Sequence, residues 1–155
     1  MIYLASPYSH PSAEIVFERV KKTEEALGYL VRNGEHVWSP IIQYHAVAVD
    51  YSLPTDAAFW WNINRDFIRR CDEVLVLQLQ DWEHSKGVAM ELELAQFLEV
   101  PIHYITPRSN YARSPSPWIF TKHEEIMKSD RELIEAATEK DRIELSLADL
   151  RIPRK

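Results

Sequence analysis

The stretch HSKGVAMELELA, residues 84 to 95, contains two glutamates, Glu91 and Glu93, which follow a glycine at position 87 and are separated by a single leucine. If the stretch is a helix that advances about 100° per residue, Glu91 falls within its apolar arc, whereas Glu93 falls on the side presented to water. The apolar arc comprises Val88, Leu92, Leu94, Ala95 and Leu98. Because an unpaired buried charge is costly, Glu91 is either part of a buried ion pair or capping-type hydrogen bond, or a carboxylate in a ligand pocket. The residue pattern leaves both interpretations open.

Other side chains that can bind ligands or transfer protons follow the short apolar runs that predict strands. SPYSHPS follows MIYLA, SPIIQYH follows EHVW, and QDWEHSKG follows the run EVLVLQL. Ligands of open parallel sheets bind outside the carboxyl ends of the strands, so these three loops are the candidate ligand contacts. In the first loop, Ser6, Ser9 and Ser12 surround a predicted helix start, where serines either bind an anion or cap the helix.

The alternation of strands and helices predicts an α/β fold, with a parallel sheet covered on both faces. One predicted helix has Glu14 in its first turn and a stop at Asn33-Gly34. Two others run from a cap at Asp56 to about Arg70, and over the opening stretch to about Leu98. IHYIT, after Pro101, is another predicted strand. By contrast, IIQYHAVAVDYSLPTDAA has little periodicity and is predicted to be a long connection, a kind of segment that is often functional.

The chain is predicted to be a single domain, residues 1–155, with its core in about 1–106. After Thr106 the pattern changes to PRSNYARSPSPW, a Pro/Ser-rich loop, and then to a charged helical stretch from about Ser129 to Lys140 and a polar tail. Residues 107–155 are therefore expected to be peripheral or to contact a partner subunit.

Composition excludes several classes of protein. The chain has 155 residues, of which 46% are hydrophobic and 27% charged, as in ordinary globular domains. A net charge of −6 argues against a nucleic-acid polymer as partner, because such binding relies on clustered Lys and Arg. A single cysteine, Cys71, allows no internal disulfide and favours a reducing, cytoplasmic location. No run approaches the ~20 apolar residues of a membrane span, so no membrane partner is expected.

Metals and common organic cofactors are not expected either. The three glycines, at 28, 34 and 87, can supply neither a GxGxxG dinucleotide motif nor a Walker loop. The six histidines are scattered singly, without metal-ligand spacing. A small-molecule substrate handled by protein groups alone is the expectation.

Three segments in order, IYLASPYS, CDEVLVLQL and GVAMELELA, resemble motifs of the nucleoside 2-deoxyribosyltransferase family and its N-glycosidase relatives. The likeness is strongest to a branch with YLASPYS, SPI followed by a His, and W..S.GV..E, and it covers roughly residues 1 to 105. The resemblance implies a flavodoxin-like or Rossmann-like domain that cleaves or transfers the N-glycosidic bond of a nucleoside, deoxynucleoside or nucleotide without a cofactor. It also implies a homo-oligomer whose neighbouring subunits help complete the site, with segment 107 to 120 as a candidate contact.

The resemblance also assigns roles to individual residues. It places Glu91 as the nucleophile, a role that suits a carboxylate beneath an anomeric carbon, and Tyr3 as the residue that orients it. It places Ser6, Pro7 and Tyr8 around sugar and base. The family's helix aspartate aligns with Asn64, an amide that cannot act as an acid, while Asp66 is offset by two residues. Ser85 replaces an acidic residue near Gly87, at a position that meets the sugar or its phosphate, and a neutral hydroxyl would repel a 5′-phosphate less.

The leaving base also needs a proton or hydrogen bonds, for which Asn64, Asp66, His45 and Asp81 are candidates. His45 is otherwise an ordinary loop histidine. Tyr8, Trp60, Trp61 and Trp82 are candidates for stacking on a base, with helix packing as the alternative for the adjacent pair. Two rival hypotheses remain: a non-catalytic nucleotide-binding or sensing module of the same fold, and a purely structural or interaction protein.

Overall fold

The strands form where short apolar runs occur, and the helices cover them. The computed structural model describes residues 1–108 and 118–122. The strands of these residues are β1 (Ile2–Ala5), β2 (Val37–Trp38), β3 (Glu73–Leu77), β4 (Ile102–Pro107) and β5 (Trp118–Lys122). Their helices are α1 (Ala13–Arg32), α2 (Pro40–Asp50), α3 (Ala57–Ile68) and α4 (Lys86–Phe97), and a 3₁₀ turn at Trp82–His84 precedes α4.

The five described strands form one sheet in the order β2-β1-β3-β4-β5. β2, β1, β3 and β4 are parallel, and β5 runs antiparallel to β4. This order is that of flavodoxin-like α/β folds, and the strand order reverses between β1 and β3. The predicted α/β class is therefore confirmed, although the antiparallel strand β5 was not predicted. The crevice at the carboxyl ends of β1 and β3 is the usual ligand position in such sheets.

Alternate residues of the central strands pack into two cores, one on each face of the sheet, because successive side chains of a strand point to opposite faces. On one face, Tyr3 and Val76 pack with apolar residues of α3 and α4. On the other, Leu4 and Leu75 pack with apolar residues of α1, including Leu30. Helices thus cover both faces, as predicted.

The prediction of a long connection over residues 41–58 was wrong, because its first part is helix α2. The hydroxyl of Ser39 accepts a hydrogen bond from Ile42 N and Pro40 occupies the first turn, a favoured position for proline. In the sequence alone, this proline is equally consistent with the end of the preceding strand. The helical period was obscured because α2 exposes apolar residues as well as burying them, including Val47 and Val49, which are 42% and 60% exposed.

The predicted boundaries of α1, α3 and α4 agree with the structure to within about two residues. Gly34 ends α1 with a φ of +88°, a left-handed conformation that glycine adopts without strain. Asp56 caps α3 by accepting from Phe59 N at 3.0 Å. No helix among the described residues is both long enough and apolar enough to cross a bilayer.

The peripheral C-terminal loop and helix predicted for residues 107–155 lie largely outside the described residues. Of the candidate contact segment 107 to 120, the part in β5 is described: Trp118 is buried, whereas Ile119 and Phe120 are exposed.

Candidate active site

A cavity of about 370 Å³ opens at the carboxyl ends of β1 and β3, and its size suits a small organic ligand. Its walls come from the loop after β1, from α2, from α3, and from the start of α4 with the turn before it. The cavity therefore lies at the reversal point of the strand order, where two loops diverge from neighbouring strands.

Glu91 lines this cavity from α4 and is only 5% exposed, whereas Glu93, two residues later, is exposed. Helical phase therefore separated the two glutamates correctly. Oε1 of Glu91 accepts a hydrogen bond from the Tyr3 hydroxyl at 2.6 Å and another from Asn64 Nδ2 at 3.1 Å. Both bonds end on Oε1, so this oxygen is fixed, whereas Oε2 accepts no hydrogen bond from the described residues and can contact a ligand.

Burial raises the pKa of Glu91 to about 7, although the hydrogen bonds from Tyr3 and Asn64 oppose the rise. The pKa of Tyr3, fully buried beside this carboxylate, is raised well above its ordinary value, so its hydroxyl remains a donor. A carboxylate that is costly to ionise in the empty cavity gains most from a positive charge that develops next to it. This electrostatic setting suits a reaction with a cationic transition state.

Asn64 connects α3 to the carboxylate of α4. Its Nδ2 donates to Glu91, while its Oδ1 is buried and has no hydrogen-bond partner among the described residues. A buried acceptor without a partner is uncommon, and Asn64 lines the cavity. Its Oδ1 is therefore available to a hydroxyl or N–H group of a ligand.

Tyr8 and His45 form a hydrogen-bonded pair on the cavity wall. The Tyr8 hydroxyl lies 2.9 Å from His45 Nδ1, and the two rings meet edge-on. Partial burial raises the pKa of Tyr8, so its hydroxyl stays protonated at neutral pH. This pair joins the loop after β1 to α2.

Serines of the loop after β1 form much of the polar side of the cavity. Ser6 is buried, with its Oγ 3.2 Å from Thr23 Oγ1, and Ser9 Oγ donates to the carbonyl of Thr55 at 2.9 Å. Ser12 is the N-cap residue of α1, but its side chain makes no capping hydrogen bond. Capping therefore does not explain these serines, and Ser6 and Ser9 line the cavity.

Ser85 and Gly87, at the start of α4, form the adjoining part of the cavity wall. Ser85 is the N-cap of α4, where its hydroxyl lies 3.5 Å from Val88 N. A Cβ at position 87 would meet no protein atom nearer than Ser85 Oγ at 4.0 Å. Glycine here thus keeps space free in the cavity rather than relieving a clash within the protein.

Arg19 ties together the two loops that follow β1 and β3. Its guanidinium is buried and donates to the carbonyl of Ser9 at 2.8 Å and to the carbonyl of Gln80 at 3.1 Å. Since Ser9 also donates to Thr55, the loop after β1 is attached on both sides.

Aromatic residues of α2 and α3 form the opposite wall. Tyr44 and Trp60 stack with ring centroids 5.1 Å apart, and Trp60 Nε1 donates to the Pro54 carbonyl at 2.7 Å, which fixes the indole. Trp61 also lines the cavity but is mostly buried by protein packing. A flat, aromatic ligand group fits this wall best, because stacking contributes energy beyond the burial of area.

The elements that build this cavity all lie within residues 1–106, which match the family described as Domain of unknown function (DUF1937). The chain belongs to this family. No curated protein matches the chain. The matched domain therefore contains the whole described cavity, including Glu91 and Asn64, together with Tyr3, which donates to Glu91.

Five predicted site residues lie outside the cavity lining. Tyr3 is fully buried on β1 and acts on the cavity only through its hydrogen bond to Glu91. Asp66 lies two residues after Asn64 on α3, about 200° around the helix, and is therefore exposed. Its carboxylate lies near the guanidinium groups of Arg65 and Arg69. Pro7, in the loop after β1, is buried. Asp81 is exposed in a left-handed conformation, with φ of 60°, and Trp82 packs in the core against Tyr104 with ring centroids 5.6 Å apart. The loop after β3 turns these last two side chains away from the cavity.

Several lining residues were not identified from the sequence: Pro40, Ile41, Tyr44, Ala48, Thr55, Asp56, Ala57, His84, Lys86 and Met90. The signal for many of them is helical spacing. Positions 41, 44, 45 and 48 of α2 and positions 57, 60, 61 and 64 of α3 follow the i, i+3, i+4, i+7 pattern and form one stripe on each helix. Once α2 is recognised as a helix, its stripe can be recognised as well. Within the described part of the chain, no three His, Cys, Asp or Glu side chains converge to hold a metal.

Proposed function

We propose that this domain cleaves or transfers the N-glycosidic bond of a nucleoside, deoxynucleoside or nucleotide, with Glu91 as the nucleophile. One observation carries the proposal: a buried carboxylate lines the cavity at the β1/β3 reversal point, with one oxygen fixed by two donors. The order of the motifs IYLASPYS, CDEVLVLQL and GVAMELELA, which resembles that of nucleoside 2-deoxyribosyltransferases, supports the same conclusion.

In the proposed reaction, the free oxygen of Glu91 attacks the anomeric carbon as the bond to the base nitrogen breaks, and the electron pair of that bond leaves with the base. The transition state resembles an oxocarbenium ion. Its positive charge stabilises the ionised carboxylate that burial disfavours. Tyr3 and Asn64 keep the carboxylate from rotating, and water or a second base then displaces the glutamyl ester.

The two sides of the cavity match the two parts of such a substrate. The wall with Tyr44 and Trp60 offers stacking surfaces for a base. The side with Ser6, Ser9 and Ser85 offers hydroxyls for a sugar or its phosphate. The proposed chemistry uses protein groups alone and calls for no metal or organic cofactor.

A cytoplasmic homo-oligomer is part of the proposal. Exposed apolar residues occur on α2, α3 and the turn between them, elements that also wall the cavity: Val47, Val49, Tyr51 and Phe59. Light scattering after size-exclusion chromatography measures the oligomeric state, and a monomer at micromolar concentration would contradict this part.

The proposal is tested by incubating the full-length protein with deoxynucleosides, ribonucleosides and their 5′-monophosphates, with and without an acceptor base, and detecting free base by chromatography. Wild type and Glu93→Gln are expected to release base, and Glu91→Gln to lose at least about 10³-fold in rate, as expected for a missing nucleophile. Equal product from Glu91→Gln would remove the assigned nucleophile.

The rival hypothesis, a non-catalytic nucleotide-binding module, gives a different result in the same experiment. It is favoured if a nucleoside or nucleotide raises the melting temperature of wild type and Glu91→Gln equally while no substrate is consumed. If none of the nucleosides or nucleotides shifts the melting temperature of wild type, the hypothesis of a purely structural or interaction protein is favoured.

A further inference from the structure

We propose that His45, held by the hydroxyl of Tyr8, is the acid that protonates the departing base. This inference rests on the proposed function. The sequence offered four candidates for assisting the base, of which the structure brings only Asn64 and His45 to the cavity. Asn64 is an amide, which donates hydrogen bonds but gives up no proton. His45 is therefore the remaining candidate that can act as an acid.

The other ionisable groups that line the cavity have different surroundings. Asp56 caps α3 through its Oδ1 and is exposed. His84 and Lys86 are exposed on the side of the cavity where α4 begins, next to Ser85 rather than to the aromatic wall. Glu91 is assigned to the anomeric carbon. His45 differs from all of these because it is partly buried and follows Tyr44 directly on α2, the helix that contributes to the aromatic wall.

The hydrogen bond to Tyr8 suits an imidazole that changes its protonation state. A tyrosine hydroxyl both donates and accepts, so it can donate to Nδ1 of a neutral ring and accept from Nδ1–H of a charged one. In both states the contact of 2.9 Å holds the ring in place. Nε2 has no hydrogen bond among the described residues. In the charged ring, Nε2–H is the proton offered to a ligand, and once that proton has left, Nδ1–H still donates to Tyr8 while the bare Nε2 is a base.

The proposed step is balanced. As the C1′–N bond breaks, its electron pair passes to the base nitrogen, and the proton on Nε2 of the charged His45 transfers to the base. Glu91 forms the C1′–O bond at the same time. The base leaves neutral, His45 becomes neutral, and the sugar remains as a glutamyl ester. In the second half, water or an incoming base forms a bond to C1′ as the C1′–O bond to Glu91 breaks and its electron pair returns to the carboxylate. Neutral His45 takes the proton that the nucleophile loses, which restores the starting state.

The test compares leaving groups that differ in their need for a proton. N7-methyl-2′-deoxyguanosine has a positively charged base that departs neutral without protonation, whereas deoxyguanosine lacks this charge. Deoxyuridine and 5-fluorodeoxyuridine form the matching pyrimidine pair, in which fluorine makes the base a better leaving anion. The variants are His45→Gln, Tyr8→Phe and, as a control, His36→Gln, whose side chain is exposed outside the cavity.

We expect His45→Gln to lose about 10²- to 10⁴-fold in kcat/KM on the unmodified nucleoside, the range for a missing general acid, and less than about tenfold on the N7-methyl substrate. Tyr8→Phe is expected to show the same selective pattern with a smaller loss, and His36→Gln to match wild type. Activity on the N7-methyl substrate also shows that His45→Gln is folded.

Equal losses on both members of a pair, or no loss on either, would overturn the role of His45 while leaving the proposed function intact. Loss of all activity in His45→Gln also counts against the acid role, because an acid is dispensable for a cationic leaving group. If wild type cleaves none of the four nucleosides or their 5′-monophosphates, the proposed function itself fails, and this inference fails with it.

Discussion

Tyr3 and Glu91 are 88 positions apart in the sequence, yet the Tyr3 hydroxyl donates a 2.6 Å hydrogen bond to Oε1 of Glu91. Tyr3 lies on β1 and is fully buried, while Glu91 lies on α4, which packs over the same face of the sheet. Tyr3, a residue of the sheet, thus fixes the carboxylate of Glu91 on the helix that covers this face of the sheet. The first two predictions concern the energetic consequence of burying this acid.

The first prediction is that Glu91→Gln stabilises the protein at alkaline pH. The pKa of Glu91 is raised from 4.5 to about 7 in the fold. The folded state therefore disfavours its ionised form, and wild type loses stability as pH rises from about 4.5 to about 7, by up to about 3 kcal/mol. Gln carries no charge at any pH, so it should gain that amount above pH 7 and little below pH 4.5.

The measurement is urea unfolding at pH 4.5 and pH 8. Glu93→Gln is the matched control, since Glu93 is exposed on the same helix and should show no such pH-dependent gain. A gain for Glu91→Gln that is equal at both pH values would show that the buried charge is not its cause.

The second prediction concerns the pH dependence of base release. A nucleophile must be ionised, so the rising limb of kcat/KM against pH should have its midpoint at about 7, the pKa of Glu91. On substrates that need the His45 acid, a falling limb follows as that acid loses its proton. The hydrogen bond from Tyr3 lowers this pKa. Tyr3→Phe should therefore move the midpoint of the rise to higher pH.

Initial rates across pH 5 to 9.5, at substrate concentrations well below KM, give these midpoints. Tyr29→Phe serves as control, because Tyr29 is a partly buried tyrosine that packs near Phe120, outside the cavity. An unchanged midpoint in Tyr3→Phe would mean that the hydrogen bond has no influence on the ionisation that limits the rate.

The third prediction is that Asn64→Asp raises the pKa of Glu91. Asn64 Nδ2 lies 3.1 Å from Glu91 Oε1. Aspartate at this position removes a donor and places a second carboxylate beside the first, and two close carboxylates resist ionising together. At pH 6, below both pKa values, the rate of base release should fall by about tenfold for each unit by which the pKa of Glu91 rises.

Asn62→Asp adds the same charge at an exposed position of α3, two residues earlier, and should leave the pH profile nearly unchanged. Higher activity at pH 6 in Asn64→Asp would instead mean that the new carboxyl group supplies a proton to the base.

The fourth prediction separates ligand space from helix stability. Gly87→Ala should fold normally, because its Cβ would meet no protein atom nearer than 4.0 Å. Since Gly87 lines the cavity, the added methyl group should weaken nucleoside binding several-fold. Gly28→Ala, on an exposed position of α1, should also fold, with a stability gain of up to about 1 kcal/mol, and should leave binding unchanged. Isothermal titration calorimetry and thermal melts compare the two variants, and equal binding by both would contradict the prediction.

Periodicity and capping were enough to predict most of the described fold. The arc of α4 separated Glu91 from Glu93, and Asp56 and Gly34 marked helix boundaries that the structure confirms. The helix α2 was missed because Pro40 has two local meanings, the end of a strand or the first turn of a helix. Only long-range packing decides between them.

The site was harder to predict than the fold, because a position on a loop does not determine where a side chain points. Asp81 and Trp82 follow β3 as expected of ligand contacts, but a left-handed residue and a 3₁₀ turn aim them elsewhere. Glu91 and Asn64 do line the cavity. Helical phase predicted the core-side position of Glu91, and the resemblance selected Asn64. The contact between Tyr8 and His45 depended on α2 and was not predicted.

The double attachment of the loop after β1, by Arg19 on one side and by Thr55 on the other, bears on how ligands come and go. Its conformational entropy has already been given up during folding, so a ligand need not pay to order it. We expect rigid-body entry, without a slow closing step. In a reaction with two halves, such a fixed rim lets the departed base exchange for water or another base while the sugar stays bound to Glu91. Diffusion of base and water through the opening, rather than motion of the loop, then sets the ratio of hydrolysis to transfer.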